Sequence, residues 1–217
     1  MQPLVSVHDA HATCVVLHGW DHAPRDWRFV ARWLARERTE LYCPDLRAVA
    51  ARQDSPGGSP DRSAGMVDVI VEQLGETCPR TPVHLVGHSA GTALAAALSS
   101  RLPQVISVTL VDPVPRVLGL TRSDGTANRR WVGIDDERAK WALRSLRSVT
   151  VPVSIVRGEG SSLCPADFVD EMRLNFERIE TLVFQILRCG HSPNIVAPAK
   201  LADVIQLHID GTSRRTA

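Results

Sequence analysis

Six short apolar runs, each followed by a segment of helical or turn character, leave this chain few ways to fold. The runs span residues 13–17, 40–43, 83–86, 105–111, 153–156 and 182–187. They are nearly continuous in apolar residues, as strands covered on both faces require. Strands alternating with helices predict a mostly parallel, doubly wound α/β sheet of six or seven strands. The helical segments between them follow helix logic. Residues 24–37 open with Pro24 and carry Trp27, Val30, Ala31 and Leu34 at helical spacing. Residues 61–75 present a stripe of Met66, Val67, Ile70, Val71 and Leu74. Residues 90–102 are rich in Ala and stop at Pro103. Helices are also predicted over 165–176 and 198–208.

Two stretches break this rhythm. Residues 53–60 are rich in Pro, Gly and Ser and read as a loop. Residues 113–150 separate two strands by far more than one crossover needs. They carry Trp131, Trp141 and a helical pattern over 135–147, and read as a small helical cap. Such a cap would lie over the carboxyl edge of the sheet, where open α/β sheets bind ligands. A length of 217 residues suits one domain, 1–217, with that insertion.

A formal net charge of +1 gives no sign of nucleic acid or a membrane surface as partner, and a small-molecule substrate is expected instead. No stretch approaches the roughly 20 apolar residues that cross a bilayer, and the first residues lack the pattern of a signal peptide. The five cysteines have no short paired spacing, which points to free thiols and a reducing cytoplasm. No His, Cys or Asp group has metal-ligand spacing, so neither a metal nor another cofactor is expected. A homo-oligomer is compatible with this composition.

The chemistry concentrates at residues 83–91, Val-His-Leu-Val-Gly-His-Ser-Ala-Gly, followed by the Ala-rich helix. A G-x-S-x-G placed between a buried strand and a helix puts a serine on a sharp turn. Gly87 and Gly91 leave room for close approach, and the helix N-terminus aims its amides at the reaction centre. A second strand ends in His18-Gly19-Trp20. With these landmarks come Cys43 to Arg47 (Cys-Pro-Asp-Leu-Arg), the strand ending Leu110-Val111-Asp112-Pro113, and Cys189-Gly190-His191-Ser192-Pro193-Asn194.

In that order the landmarks resemble the α/β-hydrolase superfamily over nearly the whole chain. The resemblance implies Ser89 as nucleophile and His191 as its general base. It also implies an oxyanion hole built from the backbone N–H groups of Trp20 and Ala90. His18 is read as a structural histidine that holds its turn, and His88 as packing at the elbow. His84 and His208 read as structural, and His8, His11 and His22 as surface residues.

The acid departs from the pattern. Relatives usually carry it three residues after a glycine beyond the penultimate strand, and registered on Gly158 that position holds Ser161. Asp112 and Glu159 are the two replacements, and Asp112 is preferred because some relatives place their acid at that strand end. The leading expectation is a serine hydrolase cleaving a carboxylic ester, thioester or lactone. Two other readings stand beside it. One is a cofactor-free dioxygenase of the type that cleaves quinolones. The other is a non-catalytic ligand-binding homologue. Trp20, Trp27, Trp131 and Trp141 are the candidate apolar walls, with Trp27 read as core.

Overall fold

The structure, a computed structural model, describes residues 1–53, 62–77, 81–123, 131–133, 136–176, 180–186 and 188–216. The chain begins with β1 (Ala12–Leu17), a 3-10 turn (Pro24–Trp27), α1 (Arg28–Arg36) and β2 (Thr39–Tyr42). Next come α2 (Leu46–Gln53), α3 (Arg62–Thr77), β3 (Val83–His88), α4 (Gly91–Ser99) and β4 (Val105–Val111). A short hairpin follows, β5 (Leu120–Arg122) and β6 (Trp131–Gly133), then α5 (Glu137–Arg147) and β7 (Val153–Gly158). The chain ends with α6 (Ala166–Arg173), β8 (Thr181–Ile186), α7 (Pro193–Val196) and α8 (Pro198–Thr216).

Six strands form one parallel sheet in the order β2-β1-β3-β4-β7-β8. At its edge Pro3 makes a single antiparallel bridge to Tyr42. Alternate residues of each strand point to opposite faces, so each strand feeds two cores. Val15 and Leu17 pack with α2 to α6 on one face, whereas Cys14 and Val16 pack with α1 and α8 on the other. Strand order reverses between β1 and β3, the switch point at which open α/β sheets leave a crevice. The turns after β1 and β3 therefore meet there.

Most helices begin where the residue pattern predicts, and the differences have local causes. The segment from Pro24 is split, a 3-10 turn running into α1. Residues 46–53, unpredicted as a helix, form α2, with the Asp45 carboxylate accepting from the N–H groups of Arg47 and Ala48. α8 continues past His208 to Thr216, and Gly211 does not stop it. Within 113–150 the chain forms the hairpin and α5, whose N-cap Asp136 accepts from Arg138 and Ala139. α5 packs on α4, and its Ala142 and Leu146 join the core on that face of the sheet. Residues 54–60 of the predicted loop, Asp61 and Leu187 lie outside the described residues. No helix among the described residues is long and apolar enough to cross a membrane.

Candidate active site

Ser89 is the first residue beyond β3 and Asp112 the first beyond β4. The two strands pair with His88 opposite Val111, so Ser89 and Asp112 leave the sheet side by side. Both backbones turn through the left-handed region, at φ of 52° and 45°. Such a conformation costs a non-glycine residue roughly 1–3 kcal/mol and persists only where the surroundings impose it. Here the ladder imposes it: Ser89 N–H donates to Val111 O at 3.0 Å, and Asp112 N–H to Val156 O at 2.6 Å. Beyond Ser89 the chain must enter α4 beside β1. A Cβ on Gly91 would overlap the carbonyl of Leu17, so only glycine fits that approach.

His191 follows β8 and completes a chain of hydrogen bonds. Its Nδ1 lies 2.6 Å from Asp112 Oδ2 and its Nε2 lies 2.9 Å from Ser89 Oγ. A carboxylate only accepts, so Nδ1 carries the proton and Nε2 presents a lone pair to the Ser89 hydroxyl. Asp112 is fully buried. Its Oδ1 accepts from Gly158 N–H at 2.9 Å, and its Oδ2 also accepts from Ser161 Oγ at 2.5 Å. Glu159 is exposed, and its carboxylate accepts from the N–H of Arg188 at 2.9 Å. The structure thus brings Asp112 to His191 and turns Glu159 toward the loop after β8.

Gly158 closes this arrangement, since a Cβ there would overlap the carbonyl of Gly190 and displace the loop that holds His191.

A second layer of histidines backs the first. His88 is buried at the elbow and its Nε2–H donates to the backbone carbonyl of His191 at 2.8 Å. Burial pushes its pKa down to about 3, so it stays neutral. Among the described residues its Nδ1 has no hydrogen-bond partner. The His22 and His88 rings pack edge to face, 4.7 Å between centroids. His22, expected at the surface, is buried instead: its ring reaches Ser192 Oγ and the Asn194 amide, both at 3.2 Å. The residue pattern concealed this because His22 sits in a polar turn whose partners lie some 170 positions away. His18 plays the structural part expected of it. Leu46 N–H donates to its Nε2, so its Nδ1–H donates to Gly19 O at 2.8 Å. His84 and His208 are buried on Ser107 and Thr109.

Trp20 and Ala90 flank the switch point. Among the described residues no protein acceptor takes the backbone N–H of either one. Both line a cavity of about 390 Å³ whose apolar walls include Leu46, Met66, Leu94 and Trp141. Trp27 is fully buried core, as expected, and the Trp131 side chain lies outside the described residues. No group of three His, Cys, Asp or Glu side chains able to hold a metal occurs among the described residues.

Residues 14–158 match the model of the alpha/beta hydrolase family, so the chain belongs to that family. No curated relative matches it significantly by sequence. Solved structures share its fold at low identity. The thioesterase domain from the curacin biosynthetic pathway is 18% identical with a TM-score of 0.68, covering 93% of each chain. A novel esterase from Mycobacterium tuberculosis is 16% identical at 0.67, covering 93% of this chain and 85% of its own. A haloalkane dehalogenase loop variant from Bradyrhizobium elkanii is 17% identical at 0.71, covering 97% and 93%. These neighbours span several reactions, so the reaction has to be argued from the side chains.

Proposed function

We propose that this protein is a serine hydrolase that cleaves a carboxylic ester, thioester or lactone of a small molecule through an acyl-Ser89 intermediate. The observation that carries the reading is the unbroken chain from Ser89 Oγ through His191 to the buried Asp112. His191 Nε2 takes the Ser89 proton as Oγ attacks the carbonyl carbon. The oxyanion that forms is held by the free N–H groups of Trp20 and Ala90, each worth roughly 2.7–4 kcal/mol of transition-state stabilisation. The same Nε2–H then protonates the leaving group, and water repeats the sequence in reverse to release the acid. Asp112 fixes the Nδ1–H tautomer and stabilises the imidazolium that forms. The substrate's apolar part occupies the 390 Å³ cavity, a size at the small end of ligand pockets. α5 acts as part of its cap, contributing Arg138, Trp141 and Ala142 to the wall. Cys14, Cys43, Cys164 and Cys189 are buried free thiols, which supports a reducing cytoplasm.

Labelling with a fluorophosphonate probe and mapping the modified peptide tests the reading. A stoichiometric adduct on Ser89, absent from Ser89→Ala and from His191→Ala, is the expected result. No adduct on a folded wild-type protein would overturn it, and metal-free oxygen uptake or ligand affinity retained in Ser89→Ala would then favour the dioxygenase or the binding protein.

A further inference from the structure

We propose that Ser161 is the positioning residue for the acid, so that Asp112 and Ser161 together serve His191. This rests on the reading of Ser89, His191 and Asp112 above and assigns a role that reading does not need.

The proton count fixes the direction of the contact. Cys164 N–H donates to Ser161 Oγ at 3.3 Å, which occupies the hydroxyl as an acceptor. The single Ser161 proton is therefore free to go to Asp112 Oδ2, 2.5 Å away, and a carboxylate can receive it in no other sense. Asp112 is fully buried and Ser161 nearly so, at 5% exposure. Bulk solvent does not reach this contact. Among the described residues Asp112 pairs with no Lys or Arg, so its charge is met by Gly158 N–H, Ser161 Oγ–H and His191 Nδ1–H. The other titratable groups facing the pair are His88 and His22 behind His191, and the thiols of Cys164 and Cys189 beside Asp112. Both thiols are held protonated, by burial first and by the Asp112 charge second. None of these donates to the carboxylate, which leaves Ser161 as the one side-chain donor besides His191 among the described residues, on the same oxygen, Oδ2.

The location of Ser161 gives this contact a further meaning. It stands in the loop after β7, at the place where the Gly158 register leads one to expect an acid. Oδ2 of Asp112 is 2.5 Å from Ser161 Oγ and 2.6 Å from His191 Nδ1. With the side chain at 112 shortened, a carboxylate at position 161, one bond longer than a hydroxymethyl group, would reach the space Oδ2 now fills. The two strand ends therefore address one point, with the charge on one and the donor on the other. Moving the charge across should be tolerated.

Four variants test this: Ser161→Ala, Ser161→Thr, Asp112→Ser and the exchange Asp112→Ser/Ser161→Asp, which vacates the Oδ2 position before filling it from the other side. Ester hydrolysis is followed from pH 5 to 9, with fluorophosphonate labelling of the wild type establishing the underlying hydrolase reading separately. Ser161→Ala is expected to lower kcat five- to tenfold at unchanged KM. A carboxylate that has lost a donor favours the imidazolium more strongly, so the acid limb of kcat/KM should rise by roughly half a pH unit. Ser161→Thr keeps the hydroxyl and should stay near wild type. The exchange variant should regain at least tenfold over Asp112→Ser. The His191 Nδ1 proton, observed by NMR in water, reads the same contact without turnover and should shift in Ser161→Ala. An unmoved resonance and pH profile, with only a lower Tm, would reduce Ser161 to a turn residue and overturn the proposal. A wild type that takes no label fails the hydrolase reading instead, and the resonance still decides the role of Ser161.

Discussion

The ends of β4 and β7 lie side by side in the sheet and each offers a carboxylate, yet only one of them meets His191. Asp112, at the β4 end, is short, fully buried and turned by a left-handed backbone into the crevice. Glu159, just past the β7 end, has the longer reach but is exposed and tied to the Arg188 amide. Reach is therefore the weaker criterion. A group that must hold an imidazole in one tautomer needs a fixed direction, and burial with three hydrogen-bond donors supplies it. The β7 end contributes to the same function through its donors, Gly158 N–H and Ser161 Oγ–H.

The comparison breaks most visibly at Asp112. Asp112→Asn leaves the shape of the site but removes the acceptor that fixes the His191 tautomer. A loss of about 10⁴-fold in kcat is expected, with KM little changed. Steady-state kinetics on a chromogenic ester checks it, and a loss under tenfold would place the acid elsewhere.

How much of this was legible before folding follows from where the information sits. The six parallel strands could be read because a strand covered on both faces writes its burial into consecutive residues. Ser89 and His191 were legible because the elbow and the loop beyond the last strand are local patterns. α2 was missed although Asp45 stands before a run of helix formers, a cap signal that was there to be read. The β5–β6 hairpin gave no such signal, its strands being three residues each. The choice between Asp112 and Glu159, the burial of His22 and the partner of Ser161 depend on contacts across 46 to 172 positions. Periodicity carries no record of contacts at that range.

Next in size is the effect of acid on the buried histidines, which belong to the sheet and its elbow. Burial lowers His84 and His88 to about 3 and His208 to about 4. The unfolded chain takes up protons near pH 6.5, whereas the folded chain resists them until about pH 3–4. Stability is therefore full above pH 6.5 and falls as the pH drops below it, by roughly 1.4 kcal/mol per pH unit for each histidine. Urea titrations at pH 7, 6 and 5 should show a falling midpoint. A midpoint that is flat over this range would mean the rings are charged in the folded chain.

His88 sharpens the comparison from the elbow side. His88→Phe keeps a ring in the buried slot but leaves the His191 carbonyl without its donor. A net hydrogen bond is worth roughly 1 kcal/mol, so kcat should fall about fivefold. The fluorophosphonate labelling rate should fall with it, because the contact holds the base and not the substrate. Equal labelling of both proteins would show that the His191 loop is held without His88.

The smallest effect is expected at Glu159, and it is the control for the whole comparison. Glu159→Gln keeps a carbonyl oxygen to accept from Arg188 N–H, and the side chain is exposed, so water can meet the rest. Surface substitutions of this kind stay within about 0.5 kcal/mol in stability. kcat should remain within about twofold of wild type, set against the 10⁴-fold loss expected for Asp112→Asn. The contrast is informative because the two strand ends are hydrogen-bonded neighbours, so a disturbance of the sheet would affect both variants alike. If Glu159→Gln were the more damaging change, the exposed carboxylate would have to swing from Arg188 to His191 during turnover, and burial would cease to be what selects the acid.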